Sequence, residues 1–230
     1  MATVILLRHG RSTANTGGVL AGRSPGVHLD EVGAAQADSA AERLAALRLS
    51  AVVSSPMERC QQTAAPVLAG RELPLRIEEG LTECDYGTWT GRPIKELVKE
   101  PLWGTVQQHP AAVTFPEGES MPALAARAVA TVRRIDAELE AADGASAVWV
   151  AVSHGDVIKA LLADALGMHL DLFQRLHVDP ASISVIRYTA HRPFVLASNT
   201  AAGELSWLAP KEASADAPAT DAVVGGGSGH

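Results

Sequence analysis

The sequence predicts an α/β fold, a three-layer α/β/α sandwich with a mostly parallel central sheet. Three observations predict it. Runs such as Val4–Leu7, Ala51–Val53 and Ala147–Val152 are apolar without polar alternation, the pattern of strands covered on both faces. The stretches between them are rich in alanine, and the chain holds only three Phe and two Tyr, so helices can pack closely against a sheet. A length of 230 residues suits one large domain that buries roughly 70–75% of its unfolded surface, with no second core required.

Along the chain, Val4-Ile5-Leu6-Leu7 breaks abruptly into Arg8, His9 and Gly10. Ligands of open α/β sheets collect at such carboxyl ends of strands. Gly17, Gly18, Gly22 and Ser24-Pro25-Gly26 mark irregular chain, after which Asp30 is the expected N-cap of a helix reaching about Leu47. Ala51–Ser55 reads as a second buried strand. Ser55-Pro56 then reads as a helix start, with Ser as cap and Pro at the first position, which places Arg59 in a first helical turn where anions are favoured. Leu75–Glu79 is a short strand, followed by a loop in which Glu83 and Asp85 are flanked by Tyr86 and Trp89. Residues 92–118 break into short amphipathic pieces punctuated by Pro93, Pro101, Pro110 and Pro116, an excursion expected to cover the site with Trp103 and Phe115 as anchors. Ser120 caps a helix whose Leu124, Ala128, Val132, Ile135 and Leu139 form one apolar stripe. Ala147–Val152 ends in Ser153-His154-Gly155-Asp156 before a helix over 157–166, and Ile183–Tyr188 with Phe194–Ser198 closes the sheet as a hairpin-like pair. The domain is expected to span residues 1–208. Residues 209–230, dominated by Ala, Pro, Asp, Gly and Ser, read as a disordered tail.

Bulk properties narrow the partners. A net charge of −7 argues against nucleic acid or an anionic membrane surface, both of which select basic proteins. The first apolar run is too short for a signal peptide or a membrane span. Two cysteines, Cys60 and Cys84, provide neither a disulfide framework nor metal-ligand spacing, so the expected compartment is reducing and cytoplasmic.

Some of these residue types carry chemistry. Arg8 offers a planar fork matched to phosphate or carboxylate, His9 is a nucleophile or base near neutral pH, and Gly10 admits a close backbone N–H. Taken alone, Arg-His-Gly could equally be an ordinary strand-ending loop, Arg59 a solvated surface residue and Glu83 part of a charged turn. The second His-Gly pair at another strand end weighs against that. An aromatic environment around Glu83 can keep a carboxyl protonated near neutrality, as a general acid requires.

Together Arg8-His9-Gly10, the Ser-Pro-x-x-Arg-x-x-Gln-Thr segment Ser55–Thr63, Glu83–Gly91, Gly118-Glu119-Ser120 and Ser153-His154-Gly155 resemble the histidine phosphatase superfamily in its phosphoglycerate mutase-like branch. The resemblance covers about residues 3–200 and is nearest to a phosphomutase/phosphatase subgroup of high-GC bacteria. It implies that His9 becomes phosphorylated, that Arg8, Arg59 and His154 hold phosphoryl oxygens, and that Glu83 protonates the leaving oxygen. Asn15 and Ser12 match substrate-contacting positions. Where relatives often carry Asp this chain has Gly22-Arg23-Ser24-Pro25-Gly26, a departure that leaves substrate orientation there open; Arg23 is among the residues expected to bind substrate beyond its phosphate.

The resulting expectation is a metal-independent phosphomonoester hydrolase acting on a small phosphorylated metabolite without a cofactor. A phosphomutase is the second reading, and a non-catalytic phosphate-recognising module the third. Residues 84–118 set Arg92, Lys95 and Lys99 against Asp85, Glu96, Glu100 and Glu117, too few cations for a bisphosphorylated intermediate, which favours hydrolysis. A homodimer is left open. Cys60 and Cys84 directly follow Arg59 and Glu83, so convergence of those two residues on one phosphate would bring the thiols into one region. Two unrelated thiols are the simpler reading; a bonded pair would tether the acid loop.

Overall fold

The computed structural model describes residues 2–201; the expected boundary at 208 and the 209–230 tail lie outside the described residues. Six strands form one sheet: β1 Thr3–Arg8, β2 Ala51–Ser54, β3 Leu75–Ile77, β4 Val148–Ser153, β5 Ile183–Tyr188 and β6 Pro193–Thr200. Their order is β3-β2-β4-β1-β5-β6, with β1 to β4 parallel and β5 antiparallel to both β1 and β6. The sheet is therefore mixed and mostly parallel, as its unalternated apolar strands require.

Alternate residues of β1 serve opposite faces. Ile5 and Leu7 pack with Ala40 and Leu44 of α2 (Glu31–Leu44) and with Cys60, Ala64 and Val67 of α3 (Glu58–Leu68). Val4 and Leu6 join the opposite core, formed with α6 (Met121–Asp143) and α7 (Gly155–Ala165). The expected stripe Leu124, Ala128, Val132 and Ile135 is buried there, with Leu139 at its margin. Three short helices, α1 (Thr13–Thr16), α4 (Ile94–Leu97) and α5 (Trp103–Gln108), lie in the connections. The 92–118 excursion is anchored as expected: Trp89 stacks on Trp103, and Phe115 meets both Trp89 and Tyr86 edge-on.

Two local expectations change. Asp30 does cap α2 by accepting the Gly33 N–H at 2.8 Å, but the helix ends at Leu44 and not near Leu47. Ser55 does not cap α3. The N-cap there is Met57, with no side-chain capping bond, and Glu58 and Arg59 fill the first turn. Ser55 is used elsewhere, because its hydroxyl is within 2.7 Å of His154 Nε2.

Candidate active site

Parallel pairing of β1 with β4 sets Arg8 opposite Ser153, so the next residues, His9 and His154, leave the sheet side by side. The His9 N–H donates to the Ser153 carbonyl at 3.0 Å, and the two rings meet edge to face with centroids 5.4 Å apart. Arg59 reaches them from α3, and Glu83 arrives in the loop after β3. All five groups are buried, none more than 3% exposed.

The His9 tautomer follows from its neighbour. Nδ1 lies 2.7 Å from the Gly10 carbonyl, which can only accept, so Nδ1 carries the proton and Nε2 keeps its lone pair. Burial foremost, and then the charges of Arg59 and Arg8, push the imidazole well below its ordinary pKa, so the ring is neutral at physiological pH. The loop is fixed by Gly10, whose N–H donates to Thr63 Oγ1 at 3.0 Å; that hydroxyl in turn donates to the Arg59 carbonyl at 2.7 Å.

His154 is held at both nitrogens. Arg59 Nη2 donates to Nδ1 at 3.2 Å, which leaves Nε2–H to donate to Ser55 Oγ. Burial and then Arg59 keep this ring neutral as well. The same Nη2 donates to the Gly22 carbonyl at 2.8 Å, whereas Arg59 Nη1 has no hydrogen-bond partner among the described residues. A buried guanidinium donor of this kind calls for an acceptor, and phosphate supplies one. Arg8 donates to the Val178 carbonyl at 2.7 Å; burial lowers its pKa to about 10, which leaves it charged at neutral pH.

Glu83 differs from an ordinary carboxylate. Burial, and after it the negative charge of Asp156, raise its pKa to about 7, against the opposing Cys84 N–H bond at 2.9 Å and the cations Arg59 and Arg8. Glu83 Oε2 is 3.8 Å from His154 Nδ1, too long for a hydrogen bond and, with the ring neutral, no ion pair. The site thus brings together a neutral imidazole with a free lone pair, two guanidinium groups and a carboxyl able to exist in either protonation state near pH 7.

The other expected residues take supporting positions. Ser12 caps α1, and its N–H and hydroxyl donate to Asn15 Oδ1 at 3.0 and 2.8 Å, which leaves the Asn15 amide nitrogen without a partner among the described residues. Arg23 Nε donates to the Glu83 carbonyl at 2.9 Å, while its other nitrogens face Glu119 at 3.3 Å and Asp85 at 3.7 Å. Arg127 was not singled out by sequence. It grips Glu119 with two bonds of 2.6 and 2.9 Å and also donates to the Gly80 and Glu83 carbonyls, so it clamps the acid loop. Glu119 precedes the α6 cap Ser120 while Arg127 lies in the second turn of the helix, so their contact depends on how the chain turns into α6. Asp156 and Thr63 were likewise missed, although Thr63 closes the Ser55–Thr63 segment. The thiols do not pair: Cys60 belongs to the core under α2 and α3, Cys84 to the core on the opposite face of the sheet, and both are free. Burial pushes the Cys60 thiol up to about 12 and Cys84 higher still, which withholds the thiolate that exchange requires.

Among the described residues no group of three or more His, Cys, Asp and Glu is placed to hold a metal ion, and no helix is long and apolar enough to cross a membrane. A model of the histidine phosphatase superfamily (branch 1) matches residues 4–201. An adenosylcobalamin/alpha-ribazole phosphatase of Escherichia coli is 31% identical over 186 residues, 79% of this chain and 87% of that protein. A probable phosphoglycerate mutase of Yersinia pestis is 31% identical over 190 residues, 82% and 86% of the two chains. A bifunctional protein of Mycobacterium tuberculosis is 34% identical over 191 residues, 81% of this chain and 50% of that one, so the chain spans about half the length of its mycobacterial relatives. The solved mycobacterial glucosyl-3-phosphoglycerate phosphatase superposes with a TM-score of 0.75 at 26% identity, over 86% of this chain and 99% of that one.

Proposed function

Because the chain belongs to the histidine phosphatase superfamily, branch 1, we propose that it is a metal-independent phosphomonoester hydrolase working through a phosphohistidine on a small phosphorylated metabolite. The observation that carries the reading is the state of His9: neutral, proton on Nδ1, lone pair on Nε2, and flanked by two buried guanidinium groups. Phosphoryl transfer asks mainly for positioning and charge stabilisation, which these groups provide.

In the first step His9 Nε2 bonds to phosphorus, the bond from phosphorus to the leaving oxygen breaks, and neutral Glu83 gives that oxygen its proton. In the second, the Glu83 carboxylate takes a proton from water as the water oxygen attacks phosphorus and the bond to His9 breaks. Arg8 and Arg59 hold the phosphoryl oxygens. His154, whose Nδ1 accepts from Arg59 Nη2, positions that guanidinium. Asn15, steadied by Ser12, offers its amide nitrogen to the substrate. Arg23 borders Glu83 with 37% of its side chain exposed, which suits a contact to the leaving group. The 92–118 segment is proposed as the cover.

Hydrolysis is favoured over transfer to a retained substrate hydroxyl because this cover adds little positive charge: Arg92 is paired with Glu100 at 2.7 Å, and Lys95 and Lys99 are exposed. Labelling with a radiolabelled phosphomonoester, quenched in alkaline detergent, tests the intermediate, with acid-labile, alkali-stable label expected on histidine and lost in His9→Ala. A panel of phosphorylated metabolites followed by phosphorus NMR then separates free phosphate, the expected product, from an isomerised monoester, which would reassign the protein as a mutase.

A further inference from the structure

Gly10 stands between two peptide groups that would ordinarily turn with ease, because a residue without Cβ restrains its own dihedrals little. Here both groups are pinned at each end. In the His9–Gly10 peptide the Gly10 N–H donates to Thr63 Oγ1 at 3.0 Å, and the His9 carbonyl accepts the Ala181 N–H at 3.1 Å. In the Gly10–Arg11 peptide the Arg11 N–H donates to Gln36 Oε1 at 2.9 Å, and the Gly10 carbonyl faces His9 Nδ1 at 2.7 Å. A trans peptide points its N–H and C=O in opposite directions within one plane, so a side chain that grips the Arg11 N–H also aims the Gly10 carbonyl. Gln36 is a half-buried residue of α2 and Thr63 a fully buried residue of α3, and phosphoryl transfer as outlined above gives neither of them a step.

We propose that Gln36 and Thr63 are positioning residues for the nucleophile: gripping the Arg11 and Gly10 N–H groups from α2 and α3, they hold the Gly10 carbonyl against His9 Nδ1 and thereby keep the ring proton there and the lone pair on Nε2. The proposal rests on the reading of His9 as nucleophile. The tautomer of a neutral imidazole is set by the bond that its other nitrogen makes. With the Gly10 carbonyl turned away, Nδ1–H loses its acceptor, and a proton relocated to Nε2 occupies the lone pair that attacks phosphorus. The two grips are complementary, since Thr63 fixes the peptide before Gly10 and Gln36 the one after it. The other backbone contacts of the loop, His9 N–H to the Ser153 carbonyl at 3.0 Å and Asp30 N–H to the Arg11 carbonyl at 3.1 Å, hold its ends and give the Gly10 carbonyl no direction.

The test reads the ring itself. Two-bond proton–nitrogen correlation spectra of the full chain labelled at histidine distinguish Nδ1–H from Nε2–H, and His9→Ala assigns the signals. At neutral pH the parent is expected to show His9 with its proton on Nδ1; a parent with the proton on Nε2 overturns the proposal. Gln36→Leu and Thr63→Val remove the acceptor at similar volume, so they should move proton population to Nε2 and lower kcat by about 10–100-fold. Gln36→Glu and Thr63→Ser keep an acceptor and should restore both the tautomer and most of kcat. An unmoved tautomer in Gln36→Leu overturns the role even if kcat falls, because a merely structural loss lowers activity and leaves the proton in place. If Thr63→Val does not fold, since that hydroxyl also donates to the Arg59 carbonyl, Gln36→Leu decides. A proton that moves to Nε2 with kcat unchanged upholds the positioning of the ring and overturns instead the reading of His9 as nucleophile.

Discussion

In the proposed mechanism His9 contributes chemistry more than packing, since it follows the strand and its ring is held by one bond to a neighbouring carbonyl. His9→Ala should therefore lower turnover by about 10³-fold or more while the circular dichroism spectrum and the urea midpoint stay near those of the parent. Activity within tenfold of the parent would remove it as nucleophile. In the proposed mechanism Glu83 acts on the leaving oxygen, so the cost of losing it depends on how much that oxygen needs a proton. Glu83→Gln should slow alkyl phosphates by about 10²–10⁴-fold and aryl phosphates far less; equal losses on both would mark a structural carboxylate. Because the acid must be protonated and has a pKa of about 7, alkyl phosphate turnover should hold below that pH and decline above it.

At the scale of elements, the loop that carries His9 is seated directly on the first turn of α2. A Cβ at Gly33 would run into the Arg11 backbone, and one at Gly10 into the Gly33 backbone, so the two segments approach as only glycine allows. Gly33→Ala should push the nucleophile loop off its seat, costing about 1–3 kcal/mol of stability as overpacking does and lowering kcat at least as strongly. The contrast is Gly104 in α5, exposed and with nothing within 4 Å of where a methyl group would stand, so that Ala there should be neutral or add about 0.5–1 kcal/mol. Urea denaturation of both variants, with kcat for the first, checks the pair. If Gly33→Ala behaved like Gly104→Ala, the close approach would not be what positions His9.

For the molecule as a whole, burying these groups couples stability to pH in two directions. Glu83 has a raised pKa, so the folded state holds a proton that the unfolded chain releases; its contribution is full below pH 4.5 and is lost as pH rises through about 7. His9 and His154 are depressed, so their contribution is full above about pH 6.5 and is lost as pH falls toward their folded values. Glu83→Gln, neutral at every pH, should accordingly be more stable than the parent at pH 8, by on the order of 3 kcal/mol from about 1.4 kcal/mol per pH unit between 4.5 and about 7, and should lose most of that advantage at pH 5. Urea unfolding at the two pH values measures the difference, and an advantage equal at both would deny the buried charge. Turnover is also expected to survive exhaustive chelation. Loss in chelator that one divalent ion restores would replace the metal-free mechanism.

The sequence alone determined where the elements and the candidate site residues fall along the chain. Apolar runs ending in Arg8-His9-Gly10 and Ser153-His154-Gly155, the Asp30 cap and the α6 stripe are local signals, written within one or two turns of the residues that express them, and each is found in the fold. The protonation states and the supporting contacts were decided only by tertiary structure. Ser55 exchanges an expected cap for a bond to His154 across 99 positions, Arg127 reaches back 44 positions to the Glu83 carbonyl, and Tyr86 meets Asp156 across 70. The thiols beside Arg59 and Glu83 fall on opposite faces of the sheet although their neighbours converge. Such pairings depend on strand order, register and which way each side chain leaves its element, quantities set by the packing of the whole sheet, whereas capping and periodicity depend on neighbours alone.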